Sequence, residues 1–235
     1  MASTDRILII GAGQAGHQLA ISLRLEGHAG PITLVGDEPG VPYQRPPLSK
    51  AYLLGQIGAS QLRFRPPEFY DEQRITRLQD RAAAINRADQ TVQLASGSTL
   101  PYDHLVLATG ARNRLPPVPG VDLGGVFGLR TLADADALSP RMAQAKQVVV
   151  IGAGFIGLEF AVVAAVRGLA VQVLEQADRP MARALSQPMT ALFAAGHQGW
   201  GVGLNFGQIA VSIVGRDGQV TGVQTGDGRL LPADI

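Results

Sequence analysis

RILIIGAGQAGHQLAISLRLEGHAGPITLV, residues 6–35, decides how this chain is built. Residues 6–10 form a short apolar run of strand length. They enter the glycine turn Gly11-Ala-Gly-Gln-Ala-Gly16. Residues 17–26 then repeat apolar side chains at helical spacing, Leu19, Ala20 and Leu23. Glycines at 27 and 30 stop that helix, and residues 32–35 form a second strand. Strand, glycine turn, helix and strand open a βαβ unit.

The unit occurs twice. Residues 147–151, QVVVI, are a strand, and Gly152-Ala-Gly-Phe-Ile-Gly157 follows. Residues 158–167 are an apolar helix, Gly168 ends it, and residues 170–174 are a strand. Gly152 follows Gly11 by 141 residues, too long a period for a solenoid. The copies read as two related dinucleotide-binding folds.

Each copy meets the stricter test for a GxGxxG turn: strand before, helix after, and an acid about 20 residues on. The first glycine makes the tight turn, the second lets backbone approach a pyrophosphate, and the third lets helix and strand pack closely. The helix N-terminus offers free N–H groups and a positive dipole end to the phosphates. In the first copy the acid is Asp37 or Glu38; in the second it is Glu175. A carboxylate there accepts hydrogen bonds from the adenosine ribose and repels a 2′-phosphate, so Glu175 favours NAD over NADP. The plainer alternative is that these glycines only allow tight packing. Two dinucleotide sites imply hydride traffic between NAD(H) and a second cofactor, of which FAD fits best because flavin links hydride to one-electron chemistry.

Composition excludes several classes. With 46% hydrophobic and 17% charged residues in 235, the chain has apolar surface for one large or two modest cores. A net charge of +1 gives no reason for nucleic acid or anionic lipid as partner. No apolar run approaches the length of a membrane span, and residues 1–5 lack a basic stretch before an apolar one, so a cytoplasmic location is expected. There is no cysteine, hence no disulfide, no cysteine-held cluster and no thiol relay within this chain. The four histidines show no ligand-like spacing.

Between the copies, strands are expected at residues 82–85, 91–94 and 104–107. ATGARNRLPPVPG, residues 108–120, reads as a crossover between domains. A helix is expected over 131–142, with Asp134 and Asp136 as charges at its N-terminus. A further helix is expected over 188–195, a hairpin over 209–214 and 220–223, and the start of another strand over 231–235. Four glycines within 197–207 should loosen that segment. Trp200 is expected in the core, and His17 and His28 in solvent.

VGDEPGVPYQRPPLSKAYL, residues 35–53, places four prolines between Pro39 and Pro47 and ends them on Ser49 and Lys50. Such a stretch is too stiff for a casual linker. Together with GAGQAG, LVLATGARNR, LRTLADADAL and VVVIGAGFIGLEFAVV, it resembles the flavin-dependent NADH–ferredoxin reductases of the rhodocoxin, putidaredoxin and biphenyl-dioxygenase reductase type. The resemblance runs in order over nearly the whole chain, and PYxRPPLSK is its most specific element.

The resemblance implies an α/β fold of two Rossmann-like dinucleotide-binding domains. The FAD domain would span residues 1–111 and the NAD domain 112–235. FAD would rest on Gly11, Gly13, Ala15 and Gly16, with Asp37 at its ribose. Arg45 and Lys50 would reach it from the proline-rich loop, and Ala82, Ala108, Thr109, Gly110 and Arg130 would line it. NAD would use Gly152, Gly154, Phe155, Ile156, Gly157 and Glu175, with Arg183 toward its phosphates. Glu159 would lie near nicotinamide and flavin, paired with Lys50; these two would be the catalytic residues. The prolines would keep Arg45 and Lys50 in place at little ordering cost. A cation at the reactive edge would stabilise negative charge on reduced flavin. Without a thiol, electrons would leave one at a time to a two-iron ferredoxin, which supplies a cytochrome monooxygenase or a ring-hydroxylating dioxygenase.

Members of that group are considerably longer. They return to the FAD domain through a second flavin-binding element and add a C-terminal domain. The chain therefore reads as an N-terminal part, with both domains incomplete. Two other readings stay open: a nucleotide-binding fragment inactive without its C-terminal half, and a signalling flavoprotein of the apoptosis-inducing-factor kind, which shares RPPLSK.

Overall fold

The computed structural model describes residues 4–235. The chain divides into two compact units. One holds the residues up to Gln44 with Ala59–Arg112; the other holds Arg45–Gly58 with Asn113–Ile235.

The first unit opens with β1 (Ile7–Ile10), α1 (Gln14–Leu25) and β2 (Ile32–Gly36). Two short helices follow, α2 (Ala59–Leu62) and α3 (Pro67–Glu72). Then come β3 (Ile75–Gln79), β4 (Ala82–Asn86), β5 (Thr91–Leu94), β6 (Thr99–Pro101) and β7 (His104–Leu107). A parallel sheet runs in the order β3-β2-β1-β7, and β4-β5-β6 form an antiparallel sheet. Ile9 aligns with Leu34 on one side and Val106 on the other. The sheet explains why β1 is apolar at every position. Ile7 and Ile9 pack with Ala20, Leu34 and Tyr70, while Leu8 and Ile10 pack with Val92, Leu94 and Tyr102. A parallel strand covered on both faces has no polar side.

In the second unit, a short 3-10 turn at Pro46–Ser49 precedes α4 (Leu132–Gln144), β8 (Gln147–Ile151), α5 (Phe155–Val166) and β9 (Ala170–Glu175). They are followed by α6 (Gln187–Gly199), β10 (Val202–Phe206), β11 (Ala210–Arg216), β12 (Gln219–Thr225) and β13 (Leu230–Pro232). A parallel sheet runs β10-β9-β8 and an antiparallel one β11-β12-β13. Thr131 and Asp134 cap α4 reciprocally: Thr131 Oγ1 accepts from Asp134 N–H at 3.1 Å, and Asp134 accepts from Thr131 N–H at 2.8 Å. Beyond β13, Asp234 N–H donates to Gln147 O at 2.9 Å and Val149 N–H to Ile235 O at 3.0 Å, so the final residues begin to pair with β8.

Both glycine-turn helices begin earlier than their side-chain periodicity. Gly13 and Gly154 are the N-caps, in extended conformation, and α1 and α5 start at Gln14 and Phe155. Periodicity starts only where side chains are buried, whereas the helical backbone starts inside the turn.

Four expectations are corrected. Trp200 follows the end of α6 and is 58% exposed, with its ring edge-on to the His197 ring at 5.4 Å. His17 is 6% exposed: its ring stacks on Phe64 at 4.7 Å, and Nδ1 lies 2.9 Å from the Tyr70 hydroxyl. The His28 ring is half-buried, and Nε2 is shut off from solvent without a partner among the described residues. Residues 197–207 are regular rather than loosened, because Gly201 and Gly207 fall in turns with positive φ at the two ends of β10.

Candidate functional site

The two glycine turns are built alike. In the first, Gly11 N–H donates to Val35 O at 2.7 Å; in the second, Gly152 N–H donates to Leu174 O at 2.7 Å. Gly11 and Gly152 have φ of 116° and 106°, a region that disfavours any Cβ. A methyl group on Gly16 would stand 2.0 Å from Gly11 O, and one on Gly157 would stand 2.2 Å from Gly152 O. These third glycines let each helix press against its own turn. A methyl group on either middle glycine, Gly13 or Gly154, would meet nothing within 4 Å, so their faces are open. Neither α1 nor α5 has a side chain capping its N-terminus, which leaves backbone N–H groups directed at that opening. A close-packed turn with an open middle glycine and uncapped N–H groups suits a pyrophosphate, and both turns have it.

The first turn is closed by β7: Ala108 N–H donates to Ile10 O at 2.7 Å, and Ala108 and Thr109 lie against Gly11. Ala15, Thr109 and Gly110 are exposed, and Ala82 is half-buried on β4. Of the two candidate acids after β2, Glu38 accepts the Tyr43 hydroxyl, while Asp37 is exposed with no partner among the described residues. That leaves Asp37 as the acid available to a ligand. Behind the turn, burial holds the His17 imidazole below its usual pKa, with the Arg65 charge adding to the effect. Burial likewise pushes the Tyr70 phenol up to about 12.

In the second turn, Glu175 at the end of β9 is already engaged. Oε2 accepts from Ala153 N–H at 2.8 Å and Oε1 from Ala177 N–H at 2.9 Å. The carboxylate thus ties the glycine turn to the loop after β9. Phe155 and Ile156 are exposed at the start of α5, beside Gly154. A cavity of about 300 Å³ lies alongside β8, lined by Leu115, Phe127, Val149, Ile151 and Phe160 among others. Its walls are mostly apolar, with Asn113 and Arg114 among them.

The proline-rich segment packs on the same unit through four side chains. Arg45 donates to Arg130 O at 3.0 Å, Ser49 Oγ donates to Glu159 Oε2 at 2.6 Å, Lys50 Nζ lies 2.8 Å from Glu159 Oε1, and the Tyr52 hydroxyl donates to Asp136 at 2.5 Å. The Lys50–Glu159 pair anticipated from the sequence is therefore formed, and Arg45 and Arg130 are neighbours. The Asp136 hydrogen bond pushes the Tyr52 phenol up to about 12, with burial adding to it. Ser49, Tyr52 and Asp136 were given no role at the site in the sequence, Asp136 being read only as a charge at the helix N-terminus. The signal for Ser49 was present, since it directly precedes Lys50 in a proline-stiffened turn.

The sequence profile of the pyridine nucleotide-disulphide oxidoreductases matches residues 5–235. The chain belongs to this family. The family binds FAD and NAD(P)H. This chain has no cysteine. Rhodocoxin reductase of Rhodococcus erythropolis is 51% identical over 229 residues, covering 97% of this chain and 54% of that protein. Putidaredoxin reductase of Pseudomonas putida is 40% identical, over all of this chain and 57% of that protein. The crystal structure of the ferredoxin reductase for the CYP199A2 system from Rhodopseudomonas palustris superposes with a TM-score of 0.96 at 48% identity, over 98% of this chain and 57% of that one. The chain thus spans a little over half the length of the relatives it matches. Among the described residues no helix is long and apolar enough to cross a membrane, and no three metal-ligating side chains cluster.

Proposed function

We propose that this chain is the dinucleotide-binding part of an NADH-dependent ferredoxin reductase. The observation that supports this most is the pair of glycine turns, each with an open middle glycine and an uncapped helix. Gly11, Gly13, Ala15, Gly16 and Asp37 would hold FAD in the first unit, with Ala82, Ala108, Thr109 and Gly110 as its lining. Gly152, Gly154, Phe155, Ile156, Gly157 and Glu175 would hold NADH in the second. FAD, when bound, supplies the step from hydride to single electrons.

The chain's own residues orient and neutralise. Lys50 offers a cation held in register by Glu159, and Arg45 sits in the same stiff segment next to Arg130. Prolines at 46 and 47 restrict the turn that carries Lys50, so little ordering remains to be done when a cofactor arrives. The carboxylate of Glu175 favours NADH over NADPH by repelling a 2′-phosphate. The acceptor we propose is a two-iron ferredoxin serving a cytochrome monooxygenase or a ring-hydroxylating dioxygenase. Among the curated relatives, the names include a rhodocoxin reductase, a putidaredoxin reductase and the ferredoxin reductase component of an anthranilate dioxygenase system.

The test is a visible absorption spectrum of the purified chain with added FAD, before and after anaerobic NADH. Uptake of FAD, followed by bleaching with NADH and recovery on adding a two-iron ferredoxin, is expected. A protein that takes up FAD but is not bleached by NADH overturns the reading. A protein that takes up no FAD until a C-terminal half is supplied favours the alternative of a nucleotide-binding fragment inactive without that half.

A further inference from the structure

The proline-stiffened segment brings two donors of different character to one carboxylate. Glu159 lies in the second turn of α5. Its Oε2 accepts from Ser49 Oγ at 2.6 Å, and its Oε1 faces Lys50 Nζ at 2.8 Å. The Lys50 side chain is 49% exposed, and its ammonium also reaches Pro46 O at 3.3 Å. Ser49 is 4% exposed and has a single rotatable bond to its hydroxyl oxygen. A long cation at the surface exchanges its partner for water at little cost. A buried hydroxyl on a turn restrained by Pro46 and Pro47 cannot follow it.

We propose that Ser49 is the positioning residue for Glu159. Its O–H donates to the carboxylate through a charge-assisted bond and keeps one orientation whether Lys50 is engaged or swung into water. This rests on the reading above, in which Glu159 and Lys50 serve the cofactors. Without Ser49, the Glu159 carboxylate, on a side chain 30% exposed, would have only a mobile partner and would reorient with it. A neutral donor suits this task better than a second cation, because it fixes geometry without competing with Lys50 for charge.

The test uses Ser49→Ala, Ser49→Thr, Glu159→Gln and the Ser49→Ala/Glu159→Gln double variant. In the flavin-free chain, the melting losses of S49A and E159Q should be strongly non-additive, the double variant melting close to the worse single one. In the flavin-loaded chain, anaerobic stopped-flow reduction by NADH should show a limiting rate lowered about tenfold in S49A. The NADH concentration at half-maximal rate should change less than about twofold, since positioning rather than nucleotide binding is lost. Ser49→Thr restores the hydroxyl and should recover most of the rate. Additive melting losses, a wild-type limiting rate in S49A, an effect confined to NADH affinity, or no recovery in S49T would overturn the proposal. A wild-type chain that is not reduced by NADH overturns the proposed function instead, and the melting comparison still decides Ser49.

Discussion

A methyl group added at Gly16 and one added at Gly13 should do different damage. At Gly16 it would lie 2.0 Å from Gly11 O and 3.1 Å from Leu34 Cδ1. Side-chain Cβ atoms essentially never come nearer than 3.0 Å to such a neighbour. The turn and α1 must therefore separate by about 1 Å, in a close-packed interior where Ala20 and Leu34 are fully buried. Overpacking of this kind costs about 1–3 kcal/mol or somewhat more, and the obstacle here is backbone, so we expect about 3 kcal/mol for Gly16→Ala. That corresponds to a loss of roughly 10 °C in melting temperature. At Gly13 the methyl meets nothing, and only the N-cap preference is lost, worth about 0.5 kcal/mol. Gly13→Ala should melt within roughly 2 °C of wild type. It should nevertheless fail to retain FAD, because its methyl fills the open face of the turn. Circular dichroism melting of the flavin-free variants, with FAD titrated by fluorescence quenching, reads both effects. A Gly13→Ala protein as unstable as Gly16→Ala, or one that binds FAD like wild type, would refute the assignment of roles to these two glycines.

Three further outcomes follow from other residues. Glu175→Ala removes two backbone hydrogen bonds and the carboxylate, so the second unit should lose about 1–2 kcal/mol, and selection against NADPH should relax; an unchanged NADH to NADPH preference would sink the ribose assignment. His17 has a folded pKa below its unfolded value of about 6.5, so the unfolded chain binds the extra proton first. Its contribution is fully present above that value and is lost as pH falls through it toward the lowered folded pKa. The stability gap between wild type and His17→Gln should narrow on going from pH 7 to pH 5, and a gap independent of pH would contradict the buried neutral imidazole. Trp200 is the sole tryptophan in the chain and is 58% exposed. Its fluorescence should be strongly quenched by acrylamide in the native state; protection equal to that of a core residue would place it elsewhere.

Much of the architecture was legible because it rests on local chemistry. Strand, glycine turn and helix in both copies follow from apolar runs meeting GxGxxG. The cap of α4 follows from Thr131 and Asp134 three residues apart, and the hairpin of β11 and β12 from two alternating runs around a glycine turn. The strands β3 and β10, by contrast, were not anticipated. Their sequences, ITRLQ and VGLNF, carry few buried side chains, and it is pairing with β2 and β9 that makes them strands. His17 illustrates the same limit. A polar residue beside a glycine turn reads as surface until Phe64 and Tyr70, some fifty residues on, are folded over it.

The sequence by itself determined that this chain carries the same glycine-turn device twice, because the device is contiguous: each glycine's task depends on atoms within a few residues. Only the tertiary structure decided which side chains hold the functional ones. Ser49 meets Glu159 across more than a hundred residues, Tyr52 meets Asp136, and Glu175 reaches back to Ala153. A hydrogen bond depends on position to within a few tenths of an ångström. Positions that far apart in the chain are set only when sheet and helices have packed.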